Sequence, residues 1–519
     1  MGELRLRYGF VIDHNRCIGC HACTVACKEE HNVPVGVFRT WVKYIEKGEF
    51  PDTSRHFGVM RCNHCDAAPC IEICPTRALF RRDDGIVDFD NSRCIGCKSC
   101  MQACPYDALY IDPNSNTAAK CNFCAHRVEL NLEPACVIVC PTQAIIAGDL
   151  DDPQSNISRR VATQKVAARK PQKGTKPKLF YAGIEGDFLQ PSMMEAQPAH
   201  MFAEQNPRMN PHNAIPTYNG RGAPGRARAV YDVAHPQPWG WIPALYLWTK
   251  SIAGGVLILA GLFSGLRLGA GASAAKLFAI AAPALALAFL AITTVLLIAD
   301  LKRWDRFYYI LIKPNPRSWL MWGTWILILT SVAAASWLVF AVLGRNIPSS
   351  LVWIAPPLGL ASACYSAFLF AQAKGRDLWQ SPLFLWHLAI QAVMAGAAAL
   401  LLLSLALNKN SPAATAILWI MIFALVVHAF MMLSEVSMPS PSEDVHHAVY
   451  VMTHGTVGKI FWLAAITGGT LIPLVLSILA ITRTGPMLLM QIAAAFATLL
   501  GLLAYEYVWI TAGQAPPLS

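Results

Sequence analysis

Cys94-Ile-Gly-Cys97-Lys-Ser-Cys100-Met-Gln-Ala-Cys104-Pro105 is the stretch on which the reading of this chain turns. Three cysteines at intervals of three, then a fourth after three more residues and a proline, is an iron-sulfur spacing. Three thiolates this close hold three irons of one cubane. The fourth lies too far along the chain to close the same cube and reaches a second cluster, so the motif predicts a partner motif.

Three partners are present. Cys17, Cys20, Cys23 and Cys27 repeat the spacing with Lys28 in place of the proline; Cys62, Cys65, Cys70 and Cys74-Pro75 widen one gap, and Cys121, Cys124, Cys136 and Cys140-Pro141 widen it further. Of 17 cysteines only Cys364, in an apolar stretch, is left over. The count predicts four [4Fe-4S] clusters. Nineteen residues separate Cys74 from Cys94, a reach short enough for the second and third sets to share one unit, and the first and fourth then pair by elimination. The expected ligand groups are Cys62/Cys65/Cys70/Cys104, Cys94/Cys97/Cys100/Cys74, Cys17/Cys20/Cys23/Cys140 and Cys121/Cys124/Cys136/Cys27.

Two plainer readings compete. Cysteines two residues apart cannot all bridge locally, and the N-terminal residues show neither an apolar secretory region nor a twin arginine, so a disulfide scaffold fits poorly. Structural zinc prefers two separated pairs closing one tetrahedral site. The repeated triplet-plus-one is not that pattern.

The remaining composition divides the chain. At 519 residues, 55% hydrophobic and 14% charged, it is too long for one core and too apolar for an ordinary soluble protein. A cluster domain is expected over residues 1–152 and a Pro-rich extended connector without a core over 153–238, where eleven prolines fall. A membrane domain follows over 239–519. Its apolar segments, at about 242–266, 276–300, 318–343, 351–374, 382–407, 413–437, 459–481 and 487–510, each approach the roughly 20 residues that cross a bilayer.

The formal charge of +10 does not point to nucleic acid. Basic residues concentrate in Arg159–Lys178 and Lys302–Arg317 without a recognition fold, and read as solvated or lipid-facing. Lys and Arg flanking the segments on the cluster side, Lys302, Arg303, Arg306, Lys313 and Arg317 among them, outnumber those on the other side. With no export signal in the chain, this places the cluster domain on the cytoplasmic face of a bacterial inner membrane. A partner bearing an export signal would place it on the periplasmic face instead.

Residues 1–150 resemble the four-cluster electron-transfer subunits of the dimethyl-sulfoxide-reductase superfamily. The apolar half is similar to the NrfD/polysulfide-reductase-type quinone-reactive anchor, on Asp300-Leu-Lys-Arg-Trp-Asp-Arg-Phe, Lys313-Pro-Asn-Pro-Arg-Ser-Trp319, Trp322-Gly-Thr-Trp325, Tyr365-Ser-Ala-Phe-Leu and Leu378-Trp-Gln-Ser-Pro382. The resemblance implies an α+β ferredoxin-like cluster domain followed by an all-α polytopic membrane domain of about eight transmembrane helices. It also implies an electron-transfer and anchor subunit of a respiratory oxidoreductase, wiring the quinone/quinol pool to a separate molybdopterin-dependent catalytic subunit. Nothing in this chain resembles that subunit.

Ionisable groups inside a bilayer are costly, by about 2.5–3.5 kcal/mol at a helix centre on insertion scales. Lys250, Asp300, Tyr365, His387, His428 and Glu435 all fall in the half nearest the clusters. Taken singly, each can snorkel, join an aromatic belt or bond a backbone carbonyl. Taken together, Tyr365, His387, Glu435 and Lys250, with Asp300 nearby, are the expected quinone contacts, with Glu435 relaying protons to the cluster side. His387 and His428 as ligands of a b-type haem are a second reading of the same residues. The competing functions are an anchor without its own quinone site and a redox-driven proton-translocating subunit.

Overall fold

The cysteine spacing acts first on the backbone. In the computed structural model, which describes residues 6–49, 51–184, 189, 191, 194–196, 227–268, 276–407, 412–482 and 487–519, each cysteine triplet forms a loop that turns into a short helix, the fourth after a first helical turn at Ala125–Val128. The helices are Ala22–Glu30, Pro69–Ile73, Ser99–Ala103 and Ala135–Ile138. The Cys94 loop turns through left-handed backbone at Gly96 (φ 68°) and Lys98 (φ 63°). Gly96 is also the point where the loop touches the membrane domain, since a Cβ there would meet Lys302 Cβ at 2.6 Å.

Little regular structure surrounds these loops. Strand Tyr8–Asp13 pairs antiparallel with Ile145–Asp149 and parallel with Leu179–Ala182, which in turn pairs with Val166–Ala167. A long hairpin, Thr40–Glu49 with Asp52–Arg61, carries Arg228–Tyr231 on its outer edge. Two short hairpins, Leu79–Arg81 with Val87–Phe89 and Leu109–Ile111 with Ala118–Lys120, follow the second and third cysteine sets.

The expected connector is corrected in its first part. Residues 153–182 belong to the cluster domain: Ser155 caps helix Asn156–Thr163 by accepting the Ser158 amide at 3.1 Å, and Ile157 is fully buried beside Val11, Ile146 and Ala182. The prolines fall between these elements and punctuate them without preventing a core. Residues 197–226 lie outside the described residues. The basic run of this stretch is not lipid-facing either. Arg169, Lys170 and Lys178 are buried, Arg169 donating to the Leu518 carbonyl at 2.8 Å and Lys178 to that of Gly85 at 2.7 Å, while Lys173 pairs with Asp377.

Eight helices among the described residues are long and apolar enough to cross a membrane: Ile242–Gly265, Leu277–Ala299, Trp319–Val342, Ser349–Ala371, Leu383–Leu407, Ala413–Ser437, Ile460–Thr482 and Met487–Gln514. The first is the hub, buried nearly throughout, and packs on the second, fourth, fifth and eighth. Its Gly255 lies against Ala392 and Gly396 of the fifth helix so closely that any Cβ would collide with backbone. Small residues let helices approach where lipid supplies no hydrophobic drive. The last helix runs four residues beyond the expected end at 510.

The two halves meet through backbone. The Asn315 amide donates to the carbonyl of Cys74 at 2.7 Å and to that of Ile71 at 3.1 Å, Ser318 Oγ to that of Ile73 at 2.7 Å, and Arg306 to that of Cys94 at 3.3 Å. The amides of Lys302 and Arg303 donate to Gly96 and Ile95. The 302–317 segment is therefore basic in part because it grips the cluster domain. At the opposite edge Lys43 donates to the Ser519 carbonyl at 2.8 Å, and Arg376 to those of Gln514 and Pro516, both at 2.9 Å.

His235 completes that edge, 2.5 Å from Asp107 and 3.3 Å from Asp232. Burial opposes its charge, but the two carboxylates push its pKa up to about 10. A histidine raised above the roughly 6.5 of an unfolded chain adds stability that is complete below that value and is lost as pH rises through the folded one. Thermal unfolding of the purified protein should therefore show a stability contribution that declines between about pH 6.5 and pH 10. Subtracting the His235→Gln profile from that of the parent isolates it; parallel profiles would show that the ion pairs contribute nothing.

Candidate functional site

The cysteines regroup across the sequence motifs. Cys104 neighbours Cys62, Cys65 and Cys70, although it follows the Cys94 loop. Cys74 lines one small cavity with Cys94, Cys97 and Cys100. Cys27 sits among Cys121, Cys124 and Cys136, and Cys140 beside Cys17. Cys20, the ligand candidate at the domain's outer face, is exposed.

Burial raises the thiols of Cys97 and Cys104 to about 12, with neighbouring sulfurs adding to the shift and backbone amides opposing it. Such thiols do not ionise alone; iron holds them as thiolates. Backbone amides point at the sulfurs as well: Gly96 and Ala118 donate to Cys94 Sγ at 3.4 and 3.3 Å, His64 to Cys62 at 3.5 Å, Phe123 to Cys121 at 3.4 Å and Ala144 to Cys140 at 3.2 Å. Amide dipoles aimed at sulfur suit an anionic cluster and tune its potential. The donor set fits [4Fe-4S] chemistry.

The membrane residues separate into two groups. In one, Lys250 Nζ donates to the Ala363 carbonyl and lies 4.8 Å from the Tyr365 ring centroid, while the Tyr365 ring packs against Gly323. In the other, Glu435 Oε2 accepts from Tyr505 Oη at 3.2 Å and lies 3.7 Å from His387 Nε2. The His428 ring meets His387 edge-on at 5.7 Å, and its Nε2 lies 3.2 Å from the Gln391 amide nitrogen. Tyr505 packs on both rings, at 5.8 Å from that of His387 and 5.1 Å from that of His428. Asp300 joins neither group; it pairs with Lys98 of the cluster domain at 2.8 Å.

Access distinguishes the groups. A cleft of about 380 Å³ opens beside Glu435, between Leu378, Pro382 and Leu383 on one side and Met438, Pro441 and Val445 on the other. That volume is within the range of small-molecule sites. Of the residues in the two groups Glu435 alone lines it; Tyr365, Lys250, His387, His428 and Tyr505 do not. Behind it an aromatic column rises toward the clusters: Trp509 lies beside Glu435 and stacks on Trp379 at 6.1 Å, Trp379 on Trp239 at 5.4 Å, and Trp239 Nε1 donates to the Cys97 carbonyl at 3.3 Å.

Two participants escape the sequence reading. Glu506 is fully buried, neither of its oxygens has a hydrogen-bond partner among the described residues, and its electrostatic partner is Lys250. A last segment ending at 510 puts this carboxylate close to the membrane edge; with the helix reaching Gln514 it lies about two turns inside. Tyr505 next to it ties the two polar groups together. An acid in an apolar helix is the available signal.

Cluster loops, apolar helices and a polar membrane centre beneath the clusters define an iron-sulfur protein with a multi-pass membrane domain. The family model described as "Polysulphide reductase, NrfD" matches residues 230–517, and two described as "4Fe-4S dicluster domain" match 16–79 and 54–150. The protein belongs to the NrfD polysulphide reductase family, with 4Fe-4S dicluster domains ahead of the membrane half. Over 202 residues it is 46% identical to a tetrathionate reductase subunit of Salmonella typhimurium, an alignment covering 38% of this sequence and 81% of that one. It is 44% identical over 179 residues to a polysulfide reductase component of Wolinella succinogenes, covering 34% and 93%, and 46% identical over 178 residues to protein NrfC of Escherichia coli, covering 34% and 80%.

The crossed grouping of cysteines has a direct consequence. Cys104→Ser and Cys65→Ser should alter the same electron paramagnetic resonance signal, and Cys97→Ser a different one. If Cys104→Ser instead reproduced the Cys97→Ser spectrum, the grouping would be wrong.

Proposed function

We propose that this chain passes electrons, through four [4Fe-4S] clusters, between the membrane quinone/quinol pool and a separate molybdopterin-containing catalytic subunit, with the cluster domain on the cytoplasmic face. The similarity to subunits of tetrathionate and polysulfide reductases supports a partner that carries the catalytic chemistry. The observation that carries the quinone half is the cleft at Glu435, open on one side and joined on the other to the column that ends at Cys97. The metal ligands are the sixteen cysteines in the crossed groups.

Each cluster, when bound, stores one electron. The chain's own residues do the rest. The apolar cleft walls take the quinol ring and exclude water. Glu435, held by Tyr505 Oη and lining the cleft, accepts the quinol protons in turn, and His387, buried 3.7 Å behind it, is placed to bond the carboxylate. Both protons leave through the cleft mouth past Asp377. The two electrons leave singly toward the Cys94 group. Tyr365 and Lys250, closed off from the cleft, act one layer deeper with Glu506, and Asp300 holds the cluster domain through Lys98.

Purified protein should carry sixteen irons and sixteen acid-labile sulfides. With clusters intact, Glu435→Gln should cut quinol oxidation by about 10²–10⁴-fold, the usual range for a general base, while membrane attachment persists. Tyr365→Phe should cost less. Unchanged rates in both variants would leave only an anchor, whereas loss confined to Tyr365→Phe would move the quinone inward.

A further inference from the structure

Arg61 ends the hairpin strand Asp52–Arg61 with its side chain inside the cluster domain, 1% exposed. Its guanidinium donates to Cys136 Sγ at 3.1 Å and covers the Phe10 ring at 4.6 Å. Burial opposes its charge, and the sulfurs of Cys136, Cys121 and Cys23 sustain it. Nε and the second terminal nitrogen have no hydrogen-bond partner among the described residues. A buried guanidinium without a counter-charge is strongly unfavourable. Its compensation here comes from sulfur.

The cysteine groups are not contacted alike. Cys94, Cys62 and Cys140 receive backbone amides, which are neutral. In the Cys27/Cys121/Cys124/Cys136 group, Arg61 brings a full charge to hydrogen-bond distance of one sulfur, and His31 Nε2 lies 3.2 Å from another, Cys124. Arg61 reaches the Cys17/Cys20/Cys23/Cys140 group less directly, through its field at Cys23. Charge and hydrogen bonds to sulfur are the levers by which a protein sets a cluster's potential.

We propose that Arg61 is a positioning residue that raises the reduction potential of the cluster held by Cys27, Cys121, Cys124 and Cys136, and so fixes that cluster's place in the series of four. The step is a one-electron reduction. The electron enters from the neighbouring cluster or from a chemical reductant, no bond forms or breaks, and the guanidinium stays protonated. The cluster and its four thiolates become more negative by one charge, and a fixed cation in a low-dielectric interior stabilises that state more than the oxidised one. In the absence of Arg61 the same electron sits higher in energy.

The inference rests on the four-cluster reading, so iron and sulfide are counted first on the unaltered protein. Fewer than four clusters would sink that reading before Arg61 is touched. The test is a redox titration followed by electron paramagnetic resonance on the full-length, cluster-loaded protein. Arg61→Gln and Arg61→Met, which remove the charge, should lower one midpoint clearly and a second slightly, leaving those of the Cys62 and Cys94 groups in place. Arg61→Lys, which keeps the charge, should stay close to the parent. If Arg61→Met does not assemble its cluster, the Gln and Lys variants decide. A parent-like midpoint in Arg61→Gln, or an equal fall in Arg61→Gln and Arg61→Lys, would overturn the proposal.

Discussion

Sulfur bound to iron is the constraint on which the N-terminal half depends. Its cysteines are mostly buried, burial lifts their thiols away from ionisation, and apart from the hairpin of Thr40–Glu49 and Asp52–Arg61 its strands are short. Its apolar cores are small and separate, metal-ligand bonds supply the rest, and the polypeptide is arranged to present sulfurs and amides to the clusters. The crossed cysteine groups bring separate stretches of chain together, Cys104 beside Cys62 and Cys70, and Cys27 beside Cys121.

The membrane half obeys a different constraint, the cost of polar groups in hydrocarbon. Its ionisable residues gather on the inner faces of the central helices, where Lys250, Glu506, His387 and His428 are all buried, and they lie on the side of the bundle nearest the cluster domain. The opening at Glu435 gives this interior an inside and an entrance. Depth separates Glu435, which lines the opening, from Lys250 and Glu506, which do not.

Much of this is legible in the sequence, for reasons that differ by element. Cysteine spacing is discrete, so the motifs can be grouped by counting, and apolar runs of bilayer length locate the eight helices within a few residues. Glu506 escapes because a four-residue error at a helix end moves a carboxylate from the edge to the interior. The stretch 153–182 misleads because proline content measures breaks in secondary structure and says nothing of whether the pieces between breaks share a core, as Ile157 and Ala182 do. The division of Tyr365 and Lys250 from Glu435 and His387 depends on helix rotation, which depth along the sequence does not encode. Arg61 carries no sequence signal, since a basic residue ending a strand beside Cys62 is as easily exposed as buried.

The junction between the halves is written mostly in main chain. Asn315, Ser318, Arg306 and the amides of Lys302 and Arg303 take hold of carbonyl oxygens at Ile71, Ile73, Cys74, Cys94, Ile95 and Gly96, and a carbonyl is the same whichever side chain it carries. Recognition of this kind leaves Ile71, Ile73 and Ile95 free to change their side chains as long as the backbone path is kept, whereas Lys98 and Gln102 meet Asp300 and Gln514 through their side chains. Selectivity is shared by the two sides: Lys98, Lys173, Lys43 and Arg169 of the cluster half reach Asp300, Asp377 and the carbonyls of Ser519 and Leu518, and the covalent link between the halves keeps these partners at high effective concentration.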